Sequence, residues 1–333
     1  MTIIGFFNNK NGIGKTSLAY HLSWMFAELG HSVVAVDLDP QANLSAMFMD
    51  ESSLQKIWDG GNTIYAGLKP LMKGIGDIET PQTCNYGSNG ANLALIVGDM
   101  QLSNADDELS TQWSHCSSSR KDLAERAFRI ESAFFRIIQN VCETQDAKYA
   151  LVDVGPNLDA INRAALLACD YIITPLNPDL FSWQGLRNMG SLTTWRKDWE
   201  KHKAHYDETV KDEHSVVSLP NGDLKMLGYV PMRFTIHAAK PVKSYQKWLS
   251  RMPKAFAELQ KSEIPKTMEE DPYFLGMLKD YHTLMPMAQE HKKPMFDLTP
   301  ADGAFGANYT HAQHCRENFE ELAKKIINKI DNA

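Results

Sequence analysis

The chain has 333 residues, a formal net charge of −7 and 43% hydrophobic residues, a content typical of a folded globular protein. The acidic balance gives the chain as a whole no basic footprint for nucleic acid, and no stretch approaches the roughly 20 apolar residues of a membrane span. The five cysteines are scattered and odd in number, which argues against a disulfide framework or a structural zinc site and favours reduced thiols in the cytoplasm.

The first candidate site follows a short apolar strand predicted at residues 3–7. The next run, residues 8–17, ends in Gly14-Lys15-Thr16, an ending typical of a phosphate-binding P-loop. Apolar residues at helical spacing over residues 18–29 predict the helix that such a loop needs, because its N-terminus adds partial positive charge. We expect Lys15 to neutralise phosphate charge and the Thr16 hydroxyl to hold Mg²⁺. The predicted phosphate-binding residues are Asn11, Gly12, Ile13, Gly14, Lys15, Thr16 and Ser17.

Two carboxylates follow the next predicted strand, at residues 33–36. Asp37 and Asp39 would stand at the carboxyl end of a strand beside the P-loop, where ligands bind in open α/β sheets. Alternation along the strand places both on one face, so that one can serve the Mg²⁺ shell while the other orients an attacking water. A pair of solvated carboxylates in a turn is the alternative.

A third carboxylate, Asp153, ends the apolar strand predicted at residues 149–153. An aspartate in this position normally holds the metal, often through a water, which is the Walker B role. Gly155 and Pro156 would shape a loop that senses the terminal phosphate. We therefore predict that Asp37 and Asp153, together with Thr16, form the magnesium site.

Strands and helices alternate along the rest of the chain. We expect a strand at residues 93–97, a polar loop at 104–120, and one helix of about five turns from Leu123 to Val141. Further strands are predicted at 171–175 and 224–230, helices at 182–203 and about 310–330, and a charged loop at 204–223. This alternation predicts an α/β fold, a doubly wound, mostly parallel sheet flanked by helices.

The length alone would suggest about two domains, yet no Pro/Gly/Ser-rich linker separates two cores. We therefore expect one domain over residues 1–333. It would carry an insertion at about 50–120 and an elaborated C-terminal region at about 190–290.

The motifs together resemble the ParA/MinD group of deviant-Walker P-loop ATPases, and within it the ParA-type partition ATPases. The matching runs are residues 10–16, 36–43 and 152–156, with further similarity at 169–178. With a looser match in the tail they cover a little over half of the chain. The resemblance implies ATP and Mg²⁺ as cofactors and slow ATP hydrolysis in DNA partition or cargo positioning. It also implies an ATP-dependent homodimer, an adaptor of ParB type, and association with non-specific DNA of the nucleoid.

The resemblance also implies residue roles. Lys10 would be the signature lysine that reaches across a nucleotide-sandwich dimer to the partner's phosphates, and Lys15 the P-loop lysine. Asp39 would position the water, which gives Lys10, Lys15 and Asp39 as the catalytic residues. The adenine pocket is expected at the sheet edge, from Asn177, Pro178, Pro231 and Met232. Asn11 stands where the family usually has glycine; asparagine tolerates positive φ and could preserve the loop.

DNA contact is predicted from residues 240–252, where basic side chains share one face of a helix and apolar ones the other. Such a face could grip phosphates without reading sequence, or could simply be the solvated face of an amphipathic helix. The basic residues are Lys240, Lys243, Lys247 and Arg251.

Two other functions stay open at this point. The chain could be a regulatory or defence-type ATPase that acts through a protein partner without DNA. It could also be an ATP-dependent metabolic enzyme on the same scaffold, such as a ligase of the dethiobiotin-synthetase kind. A membrane role is not expected, because glutamates dilute the lysines of the last predicted helix.

Overall fold

The computed structural model describes residues 1–87, 92–211, 216–234, 236–237, 240–241 and 243–332. The strands are β1 (Thr2–Phe6), β2 (Ser32–Asp37), β3 (Cys84–Asn85), β4 (Asn92–Ile96), β5 (Tyr149–Asp153), β6 (Tyr171–Leu176), β7 (Lys225–Phe234), β8 (Ile236–His237), β9 (Lys240–Pro241) and β10 (Leu278–Lys279). The helices are α1 (Lys15–Glu28), α2 (Asn43–Phe48), α3 (Glu51–Gly60), α4 (Ile64–Met72), α5 (Asp106–His115), α6 (Lys121–Glu131), α7 (Ala133–Thr144), α8 (Ala160–Leu167), α9 (Leu180–Asn188), α10 (Ser191–His205), α11 (Lys243–Leu249), α12 (Met252–Gln260), α13 (Leu284–His291) and α14 (Ala307–Asp331).

Eight of these strands form one sheet in the order β10-β7-β6-β1-β5-β2-β4-β3. All neighbouring strands run parallel except β3, which is antiparallel to β4 at the edge. The predicted doubly wound, mostly parallel sheet is therefore confirmed. Its register brings the ends of β1, β5 and β2 together, because Asp153 lies opposite Phe6 on one side and Asp37 on the other.

Both faces of the sheet are buried, which is why its strands read as continuous apolar runs. Ile3 and Val34 belong to the core on one face, whereas Ile4 and Val33 belong to the core on the other. Each fully buried side chain of this size contributes roughly 1.5–3 kcal/mol through the area it removes from water. The cores hold the strand ends rigidly, and the carboxylates that follow those strands are rigidly placed with them.

Helix α1 begins at the end of the P-loop and packs on one face of the sheet. Its buried residues include Leu18, Leu22 and Phe26, and the predicted periodicity is confirmed. Gly30, with a φ of 88°, follows the helix end in the left-handed conformation that glycine favours. Helix α14 packs against α1, so the end of the chain covers the same face.

Four local predictions are wrong. The predicted charged loop at 204–223 begins instead with the end of α10 and a π-helical turn at Tyr206–Val210. Residues 104–120 are not a loop but largely helix α5, whose first turn carries acidic residues that suit a helix N-terminus. The predicted helix from Leu123 to Val141 is two helices, α6 and α7, separated at Ser132, whose hydroxyl donates to the Phe128 carbonyl. The predicted helix at 182–203 is likewise divided into α9 and α10 near Gly190.

The single-domain organisation stays a prediction, although the insertion contributes β3 and β4 to the central sheet and the C-terminal region contributes β10. Within the described ranges, no helix is both long and apolar enough to cross a membrane.

Candidate phosphate and nucleotide site

The loop between β1 and α1 has the backbone of a phosphate cradle. Gly12 and Gly14 have φ values of 71° and 94°, which favour glycine. Ile13, between them, is fully buried and anchors the loop in the core. Asn11 has a negative φ, so the loop does not use the tolerance of positive φ for which we considered asparagine. The strained positions fall on glycines, and Asn11 leaves its exposed side chain free for another role.

Lys15 starts α1 and directs its ammonium group into the site. It is 6% exposed, and its Nζ lies 3.4 Å from the backbone oxygen of Lys10. Burial lowers the pKa of Lys15, while the nearby carboxylates of Asp153 and Asp39 act in the opposite direction. The cation is thus held at the base of the loop by opposite charges, in the position predicted for neutralising phosphate.

Asp153, at the end of β5, is a fully buried carboxylate and is not among the described residues that line the cavity beside the P-loop. Neither oxygen has a hydrogen-bond partner of good geometry within the described residues, although the Thr16 hydroxyl is near enough to lower its pKa. The net direction is upward: burial and the charge of Asp37 raise the pKa of Asp153 well above its usual range. Buried carboxylates without donors are rare unless something binds them, and hard oxygen ligands suit Mg²⁺.

Asp37 is also fully buried, but one of its oxygens is already engaged. Oδ2 accepts hydrogen bonds from the backbone N–H (2.8 Å) and the hydroxyl (2.7 Å) of Ser45, in α2. Oδ1 has no partner in the described structure. Burial raises the pKa of Asp37 to about 7, with the Ser45 hydrogen bonds opposing this. Asp37 therefore fixes the start of α2 and stands next to Asp153, and its direct contact with a metal stays a prediction.

Of the three aspartates predicted for the site, Asp39 is the one that lines the open cavity. It is 6% exposed and lines the cavity wall, and its Oδ1 accepts a hydrogen bond from the Gln41 backbone N–H at 3.0 Å. Because β2 ends at Asp37, Asp39 belongs to the turn before α2 rather than to the strand. The turn places Asp39 in the cavity lining while Asp37 is directed to Ser45, so the predicted placement of both on one face of the strand is wrong.

Lys10 forms an ion pair with Asp179, which immediately precedes α9. Asp179 is itself held in place, because its Oδ1 accepts the Ser182 backbone N–H at 2.8 Å. Asn8 adds a second contact to the same region by donating to the Pro175 carbonyl at 2.9 Å. The residues that line the cavity in the described chain include Asn11 and Gly12 but not Lys10. Lys10 thus lies beside the site rather than inside it.

A cavity of about 900 Å³ opens in front of the P-loop, within the range of small-molecule sites. Its far wall comes from residues 278–292, where the sequence had suggested no site. These residues include Leu278, Lys279, Asp280, Tyr281, His282, Met285, Gln289 and Lys292. Lys292 also donates to the Ala46 carbonyl at 2.7 Å, which ties this wall to α2.

The adenine pocket stays a prediction, and this cavity includes only one of its four residues. Met232 lines it, whereas Asn177, Pro178 and Pro231 lie outside its lining. Neighbouring residues of a strand point to opposite faces, so that Pro231 and Met232 cannot both face the cavity. The Asn177 backbone N–H donates to the Ser182 hydroxyl oxygen at 3.1 Å, in the turn that carries Asp179. Short strands and turns around residues 278–292 form the far wall of the cavity, and no sequence motif marked them.

The predicted basic helix face is also corrected. Lys240 lies in β9 and Arg251 lies between α11 and α12, so the helix itself holds only Lys243 and Lys247. The side chains of Lys240 and Lys243 lie outside the described part of the structure. Pro253 lies in the first turn of α12, and proline has no backbone N–H to continue the preceding helix. Helices α11 and α12 therefore cannot form one continuous face.

A smaller basic surface remains at the end of α11. Lys247 and Arg251 are exposed, and their charged groups lie 5.6 Å and 5.1 Å from the Trp248 ring centroid. Leu249 and Met252, which we predicted on the opposite face, are buried. Two cations on an aromatic ring form a compact basic patch.

Residues 1–203 match the model of the AAA_31 family, described as an AAA domain. The chain is 26% identical over 192 residues to chromosome partitioning protein ParA of Caulobacter vibrioides, a match that spans 57% of this chain and 61% of that protein. The chain thus covers less than two thirds of that relative.

Two solved structures share the fold along nearly the full chain. Protein DIP2308 from Corynebacterium diphtheriae superposes with a TM-score of 0.70 at 21% identity, covering 99% of both chains. The structure of pNOB8 ParA bound to nonspecific DNA superposes with a TM-score of 0.58 at 16% identity, again covering 99% of both. At these identities the likeness shows a common fold.

Proposed function

Because the chain belongs to the AAA domain family, as a ParA-type P-loop ATPase, we propose that it binds ATP with Mg²⁺ and hydrolyses it slowly as a nucleotide-sandwich dimer. The nucleotide state would switch its affinity for non-specific DNA and for an adaptor protein of ParB type. Its task would be DNA partition or the positioning of a cargo, in the cytoplasm and on the nucleoid.

One observation carries this proposal: two aspartates, Asp153 and Asp39, act on one buried lysine beside a phosphate cradle, and a third, Asp37, lies opposite Asp153 in the sheet. Asp153 and Asp37 are registered opposite each other, and both keep unpartnered oxygens. Lys15 responds electrostatically to Asp153 and Asp39. Carboxylates collected next to a phosphate site make sense when a cation binds with the phosphates, because otherwise they would repel the ligand.

Thr16 and Asp153 would hold the magnesium ion, which when bound supplies charge neutralisation between the phosphate oxygens. No group of three or more His, Cys, Asp or Glu side chains in the described chain could hold a metal by itself. The ion would therefore enter with the nucleotide. Lys15 binds and orients the phosphates, and the loop N–H groups fix them. Asp39, in the cavity wall, would hold the attacking water in line.

Dimer formation would depend on Lys10. In this structure its ammonium group pairs with Asp179 of the same chain. To reach the phosphates of a second protomer it must leave that pair. The side chains are 26% and 36% exposed, so the pair is weak enough to exchange, at about 0–1 kcal/mol.

DNA binding is supported by two findings of unequal weight. A structural neighbour, pNOB8 ParA, was solved bound to nonspecific DNA. The Lys247 and Arg251 patch around Trp248 offers cations that could contact phosphates. With a net charge of −7, such a local patch is where attraction to DNA has to be sought.

Binding to a labelled duplex of arbitrary sequence, at low and physiological salt and with ATP, ADP or no nucleotide, tests the proposal. We expect the protein to bind DNA with ATP but not with ADP or without nucleotide. Binding should be weaker at physiological salt than at low salt. The double variant Lys247→Glu, Arg251→Glu should lose it, whereas Lys56→Glu, Lys69→Glu, with the same change in charge on the exposed surface of the insertion, should retain it. ATP-dependent dimers without DNA binding would instead favour a regulatory ATPase that acts through a protein. The absence of both ATP-dependent dimer formation and DNA binding would favour a metabolic enzyme.

A further inference from the structure

A second cavity, of about 460 Å³, lies at the opposite end of the sheet from the P-loop. Tyr171 opens β6 and Lys225 opens β7, so this cavity stands at the amino ends of strands whose carboxyl ends face the nucleotide site. Helices α10, α12 and α14 complete its walls. Neither the fold nor the ATPase chemistry requires a cavity in this position.

All the charged side chains that line this cavity in the described structure are positively charged. Among the described residues that line it are four cations and no carboxylate: Arg196, Lys225, Lys261 and Lys329. Acids outside the lining offset part of this charge: Asp223 pairs with Arg196 at 2.7 Å, Asp170 interacts electrostatically with Lys225, and Asp271 does so with Lys329. In a chain with a net charge of −7, four cations converging on one concave surface are a strong local exception. They create a positive potential that a bound anion would relieve.

Lys329 is the most constrained of the four. Its ammonium group donates to the carbonyls of Leu227 at 2.6 Å and Pro272 at 2.5 Å, and lies 4.9 Å from the Tyr273 ring centroid. Burial lowers the pKa of Lys329 to about 8, with Asp271 acting in the opposite direction. The ammonium group is therefore held in a half-buried wall by direct contacts with two backbone carbonyls, while the nearby Asp271 carboxylate makes no ion pair with it among the described contacts.

The remaining lining is apolar or aromatic. It consists of Tyr171, Met189, Leu192, Leu224, Met226, Leu227, Leu259 and Tyr273, with Gln260 as a neutral polar group. Apolar walls with a few convergent polar groups are the usual composition of small-molecule sites, and the volume falls in their range. An inorganic ion would leave the apolar surface uncovered, and a neutral lipid would leave the cations unused.

We propose that this cavity binds a small amphiphilic organic anion, whose carboxylate or phosphate head meets the four cations and whose apolar body covers the leucine and methionine floor. The site is separate from the nucleotide cavity and does not depend on the ATPase proposal. Lys225 and Lys261, both exposed at the rim, would attract the head group, while Lys329 would contact it from the wall.

The dye 8-anilino-1-naphthalenesulfonate, an aromatic body with one anionic group, is a suitable probe. Its fluorescence is titrated with the full chain, with ADP and Mg²⁺ in excess so that the nucleotide cavity does not compete. Reversing two rim charges in Lys225→Glu, Lys261→Glu should weaken the dye's affinity about ten-fold. The control Lys56→Glu, Lys69→Glu makes the same change in net charge away from the cavity and should bind as the wild type does. Equal affinities of both double variants would overturn the proposal.

Competition then identifies the ligand chemistry. Decanoate and decyl phosphate should displace the dye from the wild type, whereas decanol, with the same chain and no charge, should not. The competitor that displaces the dye at the lower concentration, decanoate or decyl phosphate, shows which head group the site prefers. Displacement by decanol as effective as by decanoate would show a merely apolar surface and contradict the assignment. Circular dichroism of the variants checks that each is folded.

Discussion

Replacing Asp37 by asparagine should stabilise the protein in a way that depends on pH. Asp37 is fully buried, and burial raises its pKa from 3.8 to about 7. Ionising it in the folded protein is therefore costlier than in the unfolded chain by on the order of 4 kcal/mol. An acid with a raised pKa lowers stability as pH rises from the unfolded value through the folded one. The penalty is absent below about pH 4 and complete above about pH 7.

The asparagine variant removes this penalty while its amide oxygen can still accept from Ser45. Its unfolding free energy relative to wild type should rise by about 3 kcal/mol between pH 5 and pH 8. Urea unfolding of the nucleotide-free protein at both pH values measures this change. Any loss caused by the new amide group is the same at both pH values and cancels in the comparison. Removing the charge that raises the pKa of Asp153 acts in the same direction as the predicted rise.

Asp50 provides the control. It is exposed, and hydrogen bonds from Ser52 and Ser53 lower its pKa. The stability it contributes is present above its ordinary pKa and is lost only in more acidic solution. Asp50→Asn should therefore show no change relative to wild type between pH 5 and pH 8. The reasoning is refuted if the difference in unfolding free energy between Asp37→Asn and wild type does not change with pH, or falls as pH rises. Either result would mean that hydrogen bonds fully compensate the buried charge of Asp37.

Three further substitutions test individual roles in the site. Lys15→Ala should abolish ATP binding in calorimetry, and normal affinity would refute its phosphate role. Asp39→Ala should leave ATP binding and dimer formation intact while phosphate release stops, unless Asp39 does not orient the water, in which case turnover continues at the wild-type rate. Asp179→Asn removes the ion pair that holds Lys10 in each of the two protomers and should strengthen the ATP-dependent dimer by up to about 25-fold, about five-fold for each pair. Sedimentation measures that constant, and a weaker dimer would mean that Asp179 supports Lys10 instead of competing for it.

The sheet and the phosphate loop were predictable because their signals are local. Residues 3–7 and 149–153 are apolar runs that must be buried on both faces, and Gly14-Lys15-Thr16 specifies a loop between a strand and a helix. The positions of Asp37, Asp39 and Asp153 follow from the same logic. They come after parallel strands that the register of the sheet places side by side.

Other features depended on tertiary contacts. The break at Ser132 leaves the apolar periodicity intact on both sides, so that two helices look like one. Helix α5 buries Leu109 and Gln112 among polar residues, too few apolar positions to show a helical stripe. The far wall of the nucleotide cavity comes from short segments around residues 278–292, which are distant in sequence and carry no motif. The ion pair of Lys10 with Asp179 joins residues 169 positions apart and could be found only from the structure.

The most direct test of the account is the effect of Lys10→Ala on assembly. Light scattering after size-exclusion chromatography, with ATP and Mg²⁺ and with ADP, measures whether the protein is a monomer or a dimer. We predict that the wild type forms a dimer with ATP and Mg²⁺ but not with ADP. The variant should remain a monomer while calorimetry still detects ATP binding, because Lys15 and the loop remain. A variant that forms the same ATP-dependent dimer as the wild type would contradict the claim that Lys10 joins two protomers across the nucleotide.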